Sequence, residues 1–307
     1  MTKEFYSNGK LLLTGEYAVL DGALSLAVPT KYGQYMTVTR RADKLLLWKS
    51  YDHKNSIWFD VGFDRDTIAL VHQENRSSVW HEIAKTLQSI LKEAKKLNPN
   101  FLQDKQGYTI ETKLTFPRNW GLGSSSTLIN NIAQWAKVDA FLLVKNTMGG
   151  SGYDIACAQN NEPIFYQKQG DIPSVTIAAF KPEFVSNLFF VHLNRKQNSR
   201  EAIAAYRQCL FDKKELLTAI SALTKKIASA ENLKQFETLI TAHEEILSEV
   251  LQIPTVKKQL FPDYKGSIKS LGAWGGDFIL ATGATEATAY FKGKGYPTIL
   301  SYAHMIK

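Results

Sequence analysis

Two cysteines in 307 residues, Cys157 and Cys209, are too few and too far apart for a disulfide framework. They form no Cys-x-x-Cys or Cys/His group, which excludes a structural zinc site of the usual kind. No stretch approaches the roughly 20 apolar residues that a membrane-spanning helix requires. There is no internal repeat and no low-complexity tract. Arginine is scarce, at 8 of 37 basic residues, although the formal net charge is +8. The lysines fall in scattered pairs (Lys95-Lys96, Lys213-Lys214, Lys225-Lys226, Lys257-Lys258) on the polar faces of helical runs, among glutamates. A nucleic-acid stripe would cluster arginines with interleaved aromatics, so these pairs read as solvated helix faces. Met1-Thr2-Lys3-Glu4 leads into strand-like sequence without a signal-type apolar region. The expectation is a soluble, reduced, cytoplasmic chain without nucleic-acid or membrane partners.

What is present is ample core material, 44% apolar and 11% aromatic, in a length that favours two domains. The first ~70 residues read as short strands at 11–13, 24–28, 35–39, 45–48 and 57–61, punctuated by glycines. Trp80, Ile83, Ala84, Leu87, Ile90 and Leu91 share one face of a helix. The character changes near residues 181–187. A strand at 188–193 precedes three helical runs that end at Pro254, then a glycine-rich strand pair over 268–281, a helix over 284–291 and a last strand. The reading is an α+β chain with domains 1–182 and 183–307. His243 lies in the apolar stripe of the long helix with Glu244 and Glu245 pointing elsewhere, which describes a packed histidine rather than a metal ligand.

The most informative segment runs from Phe116 through Gly121-Leu122-Gly123-Ser124-Ser125-Ser126. Upstream, Tyr108, Ile110, Leu114 and Phe116 alternate as in a half-buried strand; downstream, Leu128, Ile129, Ile132, Ala133 and Ala136 recur at helical spacing. A glycine loop feeding a helix N-terminus offers free amides and the positive end of the helix dipole, a site for phosphate. Tight turns and helix caps explain the same residues without a ligand. No Gly-Lys-Ser/Thr follows, so this is no P-loop and the cation must come from elsewhere. A second glycine cluster, Gly149 through Gly152, precedes Asp154, which reads equally as a helix cap and as a base.

Three segments in order resemble the motifs of the GHMP kinase superfamily: Asn8 through Leu20, Pro117 through Ser126, and Ser270 through Asp277. Within it, Thr14-Gly15-Glu16-Tyr17-Ala18-Val19, Asp154-Ile155-Ala156 and Gly275-Gly276-Asp277 look most like the mevalonate-pathway kinases, phosphomevalonate kinase above mevalonate kinase. The resemblance implies an N-terminal domain like ribosomal protein S5 domain 2 and a ferredoxin-like C-terminal domain. It implies transfer of the γ-phosphoryl group of ATP, with Mg²⁺, to 5-phosphomevalonate or mevalonate. Another small alcohol or sugar, or a non-catalytic nucleotide- or nucleic-acid-binding role, is the alternative. By the same resemblance Asp154 is the catalytic base with Lys10 beside it. Gly121 through Ser126 cradle the phosphates, Ser125 reaches the metal, and Gly272, Gly275 and Gly276 wall the nucleotide. Glu16, Tyr17, Arg195, Lys196 and Ser199 face the acceptor. The expected partner is a small-molecule substrate, with self-association as a homodimer open.

Two departures stand out. Mevalonate kinases carry a metal-holding glutamate about eleven residues before the catalytic aspartate; here that position is Leu143 and the nearest acid upstream is Asp139. Trp274 stands where the third motif normally has a small residue.

Overall fold

The computed structural model describes residues 2–71, 76–170, 172–195 and 199–307, with the side chains of 199 and 200 outside that set. In chain order the elements begin with strands β1 (Thr2–Leu12), β2 (Ser25–Arg41), β3 (Leu45–Tyr51), β4 (Ile57–Asp64) and β5 (Leu70–Val71). Then come helix α1 (Ser78–Leu97), β6 (Gly107–Leu114), α2 (Ser124–Ala136), α3 (Ala140–Thr147), α4 (Tyr153–Gln159), β7 (Ile164–Gln169), β8 (Ile172–Ile177) and β9 (Leu188–His192). The remainder is α5 (Ser199–Gln208), α6 (Lys213–Ala228), α7 (Leu233–Leu251), α8 (Val256–Leu260), β10 (Ile268–Ser270), β11 (Phe278–Thr282), α9 (Glu286–Gly293), β12 (Ile299–Ser301) and α10 (Tyr302–Met305). This is a mixed α/β architecture. Among the described residues no helix is long and apolar enough to cross a membrane.

Contacts divide the chain into two compact units. The first comprises Met1–Gly9, Tyr32–Arg118 and Leu122–Gln159; the second comprises Lys10–Lys31, Asn119–Gly121 and Asn160–Lys307.

In the first unit the strand order is β5-β4-β3-β6-β2, with β1 also on β2. The β3–β6 pair is parallel and its neighbours are antiparallel. Helix α1 starts where Ser77 accepts from the Trp80 amide, and its stripe of Trp80, Ala84, Leu87, Ile90, Leu91 and Ala94 is buried. Each large side chain so covered contributes about 1.5–3 kcal/mol. The stripe packs with Trp48, Phe63, Ile110, Ile129, Ile132 and Leu143 into one core.

The structure differs from the sequence reading in the strands. The β-prone runs around 24–28 and 35–39 belong to one 17-residue strand, β2. Gly33 is no break there: a Cβ would lie 2.2 Å from the Ser7 carbonyl, so glycine admits close approach of β1. The segment after Ser126 is two helices, because Lys137 adopts a left-handed φ of 56° that closes α2, and Asp139 caps α3.

In the second unit the start of β2 pairs with β7, and β7 with β8, both antiparallel. A separate antiparallel sheet has the order β10-β11-β9-β12. Strands β9 and β11 are buried at every position, which is why they read as continuous apolar runs. One core gathers Phe189, Val191, Phe261, Ile279 and Phe291; another gathers Tyr17, Tyr206, Leu216, Leu247 and Trp274.

Candidate active site

Gly123 sits at the N-cap of α2 with φ 88°, a conformation that favours glycine, and no side chain caps the helix. Ser126 is buried and its hydroxyl donates to the Gly123 carbonyl at 2.9 Å. The Thr127 hydroxyl, with one proton to donate, lies within hydrogen-bond distance of the Gly123 and Ser124 carbonyls and of Gln34 Oε1. These bonds fix the loop from below. Ser125 is exposed and Ser124 half-buried, so the first turn of the helix is open to solvent at these two residues. Leu122 is wholly buried and anchors the loop to the interior.

Helix α4 packs against α2, with Gln159 Nε2 donating to Asn130 Oδ1 at 3.0 Å. Gly149, Gly150 and Gly152, at φ 69°, 103° and 89°, lead into it. Asp154 lies in its first turn, half-buried, with Oδ1 accepting from the Ile155 amide at 3.1 Å. Leu143 is fully buried in the core of this unit. Asp139 accepts from the Phe141 and Leu142 amides at 2.7 and 3.2 Å as the cap of α3. The position at which the resemblance would place a metal-holding glutamate is therefore a core position, and the nearest acid upstream is engaged in holding a helix start.

In the second unit, Lys10 near the end of β1 donates from Nζ to the Gly121 carbonyl at 2.9 Å. The first motif is thus joined to the first glycine of the loop. Gly121 has φ 65°, and a Cβ there would stand 2.2 Å from Asp277 Oδ2. Asp277 is itself left-handed at φ 49°, held by its amide to the Arg195 carbonyl at 3.0 Å and by the Leu193 amide to its own carbonyl at 2.8 Å. Arg195 is exposed and donates from Nε to the Gly275 carbonyl at 2.5 Å. Gly272 and Gly275 have φ 69° and 75°; the Gly276 amide donates to Ala273. Lys10, Gly121, Asp277, Gly275 and Arg195 therefore form one connected group. Lys196 lies outside the described residues, as does the side chain of Ser199 at the start of α5.

Glu16 and Tyr17 face inward. Glu16 is fully buried: Lys269 Nζ lies 2.6 Å from its Oε1, and His243 Nε2 lies 3.6 Å from its Oε2. Lys269 also donates to Glu244 Oε1 at 3.1 Å and the Ser270 carbonyl at 2.8 Å, and Ser270 Oγ donates to Glu244 Oε2 at 3.0 Å. The Gly15 amide donates to His243 Nε2 at 3.0 Å, which fixes that nitrogen as an acceptor. Burial in this setting pushes the His243 pKa well below its ordinary value, so the ring is neutral. Burial also raises Glu244, and raises Glu16 to about 7 against the opposing pull of Lys269. The Glu16 carboxylate faces these groups, not solvent. Tyr17 is buried, accepts from the Trp274 amide at 2.8 Å and stacks on Tyr206. Trp274 fills the space under the third motif and donates from Nε1 to the Pro254 carbonyl.

The histidine of α7 is packed, as its stripe suggested. Glu244, read as pointing elsewhere, is buried beside it. α7 is covered on that side by β10 and by the Gly15-Glu16 turn, so two adjacent positions are closed from solvent together.

No family model matches the chain, and no curated protein matches it in sequence. Solved structures match it along almost its whole length. The mevalonate kinase of Methanococcus jannaschii does so with a TM-score of 0.69 at 17% identity, over 98% of this chain and 96% of that one. Streptococcus pneumoniae phosphomevalonate kinase, in complex with phosphomevalonate and AMPPNP, gives 0.69 at 16% identity, over 98% and 99%. Lactococcus lactis galactokinase complexed with galactose gives 0.68 at 14% identity, over 98% and 92%. This chain has their fold. The architecture is therefore that of the small-molecule kinases whose motifs its three glycine segments resemble, while identities this low leave the acceptor to be argued from the site.

Proposed function

We infer that the chain is an ATP-dependent phosphotransferase acting on a small molecule, with 5-phosphomevalonate or mevalonate as acceptor. The observation that carries this reading is the near-complete match in fold to kinases of three different acceptors. The uncapped first turn of α2 supports it, since phosphoryl transfer depends on cradling and neutralising the phosphates.

In this reading the amides of residues 121–126 hold the ATP phosphates. Asp154 orients and deprotonates the attacking hydroxyl, and Lys10 offsets the charge that develops as the phosphoryl group moves. The glycines of 272–276 let backbone approach the nucleotide. Arg195, Lys196 and Ser199 remain the acceptor-binding candidates, together with Tyr17. Glu16, being buried, holds the first motif in place instead of touching the acceptor. The donor set for Mg²⁺ is thin: Ser125 offers an exposed hydroxyl, and α3 offers no carboxylate. That fits an ion that arrives on the nucleotide and is held chiefly by its phosphates. By resemblance the domains are 1–182, like ribosomal protein S5 domain 2, and 183–307, ferredoxin-like, in a cytoplasmic enzyme free to self-associate, although contacts group residues 10–31 and 160–182 with the second unit.

An ADP-release assay over mevalonate, phosphomevalonate, homoserine and galactose tests this. Turnover on either mevalonate compound supports the reading, and turnover on galactose or homoserine alone moves the acceptor. Leu143 favours a second reading, a non-catalytic binder on the same scaffold. Steeply salt-dependent nucleic-acid binding without ADP release would establish it.

A further inference from the structure

Arg118 stands three residues before Gly121 in the chain, and its guanidinium carbon lies 3.6 Å from the centroid of the Trp58 ring. That is face-on stacking of a planar cation on indole. Strand register places the pair within the first unit. Tyr51, the last residue of β3, is opposite Lys113 near the end of β6, and β6 leads to Arg118. Tyr51 is also opposite Ile57, the first residue of β4, with Trp58 next in line. Trp58 therefore stands at the sheet end from which the loop issues, two strands from β6, or about 10 Å at the usual strand spacing. Arg118 is exposed as a residue while its guanidinium is partly desolvated, which lowers its pKa, with Asp52 opposing. One face of the guanidinium is against the indole. Its other face is a flat, weakly hydrated surface a few residues upstream of the first loop glycine.

We propose that Trp58 and Arg118 form the platform on which the purine base of the nucleotide stacks, with indole, guanidinium and base in succession. Indole holds the guanidinium flat; the guanidinium offers a cationic plane to a π-system. This deepens the kinase reading and rests on it, since the α2 terminus must hold the phosphates for the base to reach this wall. A stacking surface selects a planar base but not the triphosphate.

Calorimetric titration of the full chain with ATP and with inorganic tripolyphosphate, both with Mg²⁺, separates the two. In Arg118→Ala and Trp58→Ala, ATP affinity falls about tenfold while tripolyphosphate affinity holds. Arg118→Lys keeps the charge without the plane and behaves like the alanine variant in ATP affinity. Thermal melts of each variant report whether folding is retained, and Arg118→Lys, at an exposed position, serves if Trp58→Ala unfolds. An unchanged ratio of ATP to tripolyphosphate affinity in both Arg118 variants overturns the platform and leaves the kinase reading intact. Loss of both ligands in equal measure also overturns it, since that would make Arg118 a phosphate contact. If the wild type binds neither ligand, the nucleotide site itself falls and the platform with it.

Discussion

Lys269 Nζ and Glu16 Oε1 are 2.6 Å apart with both side chains fully buried, and the same ammonium serves Glu244. One lysine balances one carboxylate, so a second buried carboxylate favours a bound proton. Burial accordingly lifts Glu16 to about 7. The folded chain then holds this proton more tightly than the unfolded chain. The stabilisation is fully present below the ordinary glutamate value and is lost as pH rises toward 7. Its size is on the order of 3 kcal/mol. Urea titrations from pH 4.5 to 8 on wild type and Glu16→Gln should show the difference between the two curves changing across that window. Parallel curves would assign the proton elsewhere.

Removing the cation has the opposite pH signature. Lys269→Met leaves two buried carboxylates without a cation, and a loss of about 3 kcal/mol or more is expected at pH 8. At pH 5 the carboxyls accept protons and the loss shrinks. Denaturation midpoints at the two pH values measure this, and an equal loss at both would point to packing in place of charge.

Asp154→Asn and Lys10→Met should each lower turnover by about two orders of magnitude or more with the fold retained, as expected when a group acting in the transition state is removed. Steady-state ADP release with circular dichroism as control measures this. Near-wild-type rates in both variants would remove the assigned roles.

Gly121→Ala places a methyl group 2.2 Å from Asp277 Oδ2 at a backbone angle of +65°. A loss of about 1–3 kcal/mol is expected, together with weaker ATP binding. Made in an Asp277→Gly background, the same change should cost less, because the carboxylate is gone and only the backbone penalty remains. Melting temperatures of the two single variants and the double variant give the coupling; simple additivity would show that the two sites do not press on each other.

Much of the architecture was legible in the sequence where a local pattern carries it. The α1 stripe repeats at helical spacing and is buried as read. Strands β9 and β11 are apolar throughout because both faces are covered. The strand–loop–helix around Gly123 follows from alternation on one side and helical recurrence on the other. Other features rest on contacts remote in sequence. Gly33 looks like a break until β1 is known to lie against it. Glu16 finds its lysine 253 positions away, and a single lysine between Ile268 and Ser270 announces nothing by itself. Trp274 was a visible departure, and its amide and ring explain it: they join the third motif to Tyr17 and to Pro254.

The burial of Leu143 constrains how this scaffold could acquire a tighter hold on a divalent ion. A glutamate introduced there would enter the hydrophobic interior of the first unit and cost stability before it met any ion. Its neighbour Leu142 is exposed, so an acid placed at that position would be tolerated while pointing away from position 143's side of the short helix. A tighter hold on the ion would therefore have to come from an acid on another element, not from an exchange at either of these positions.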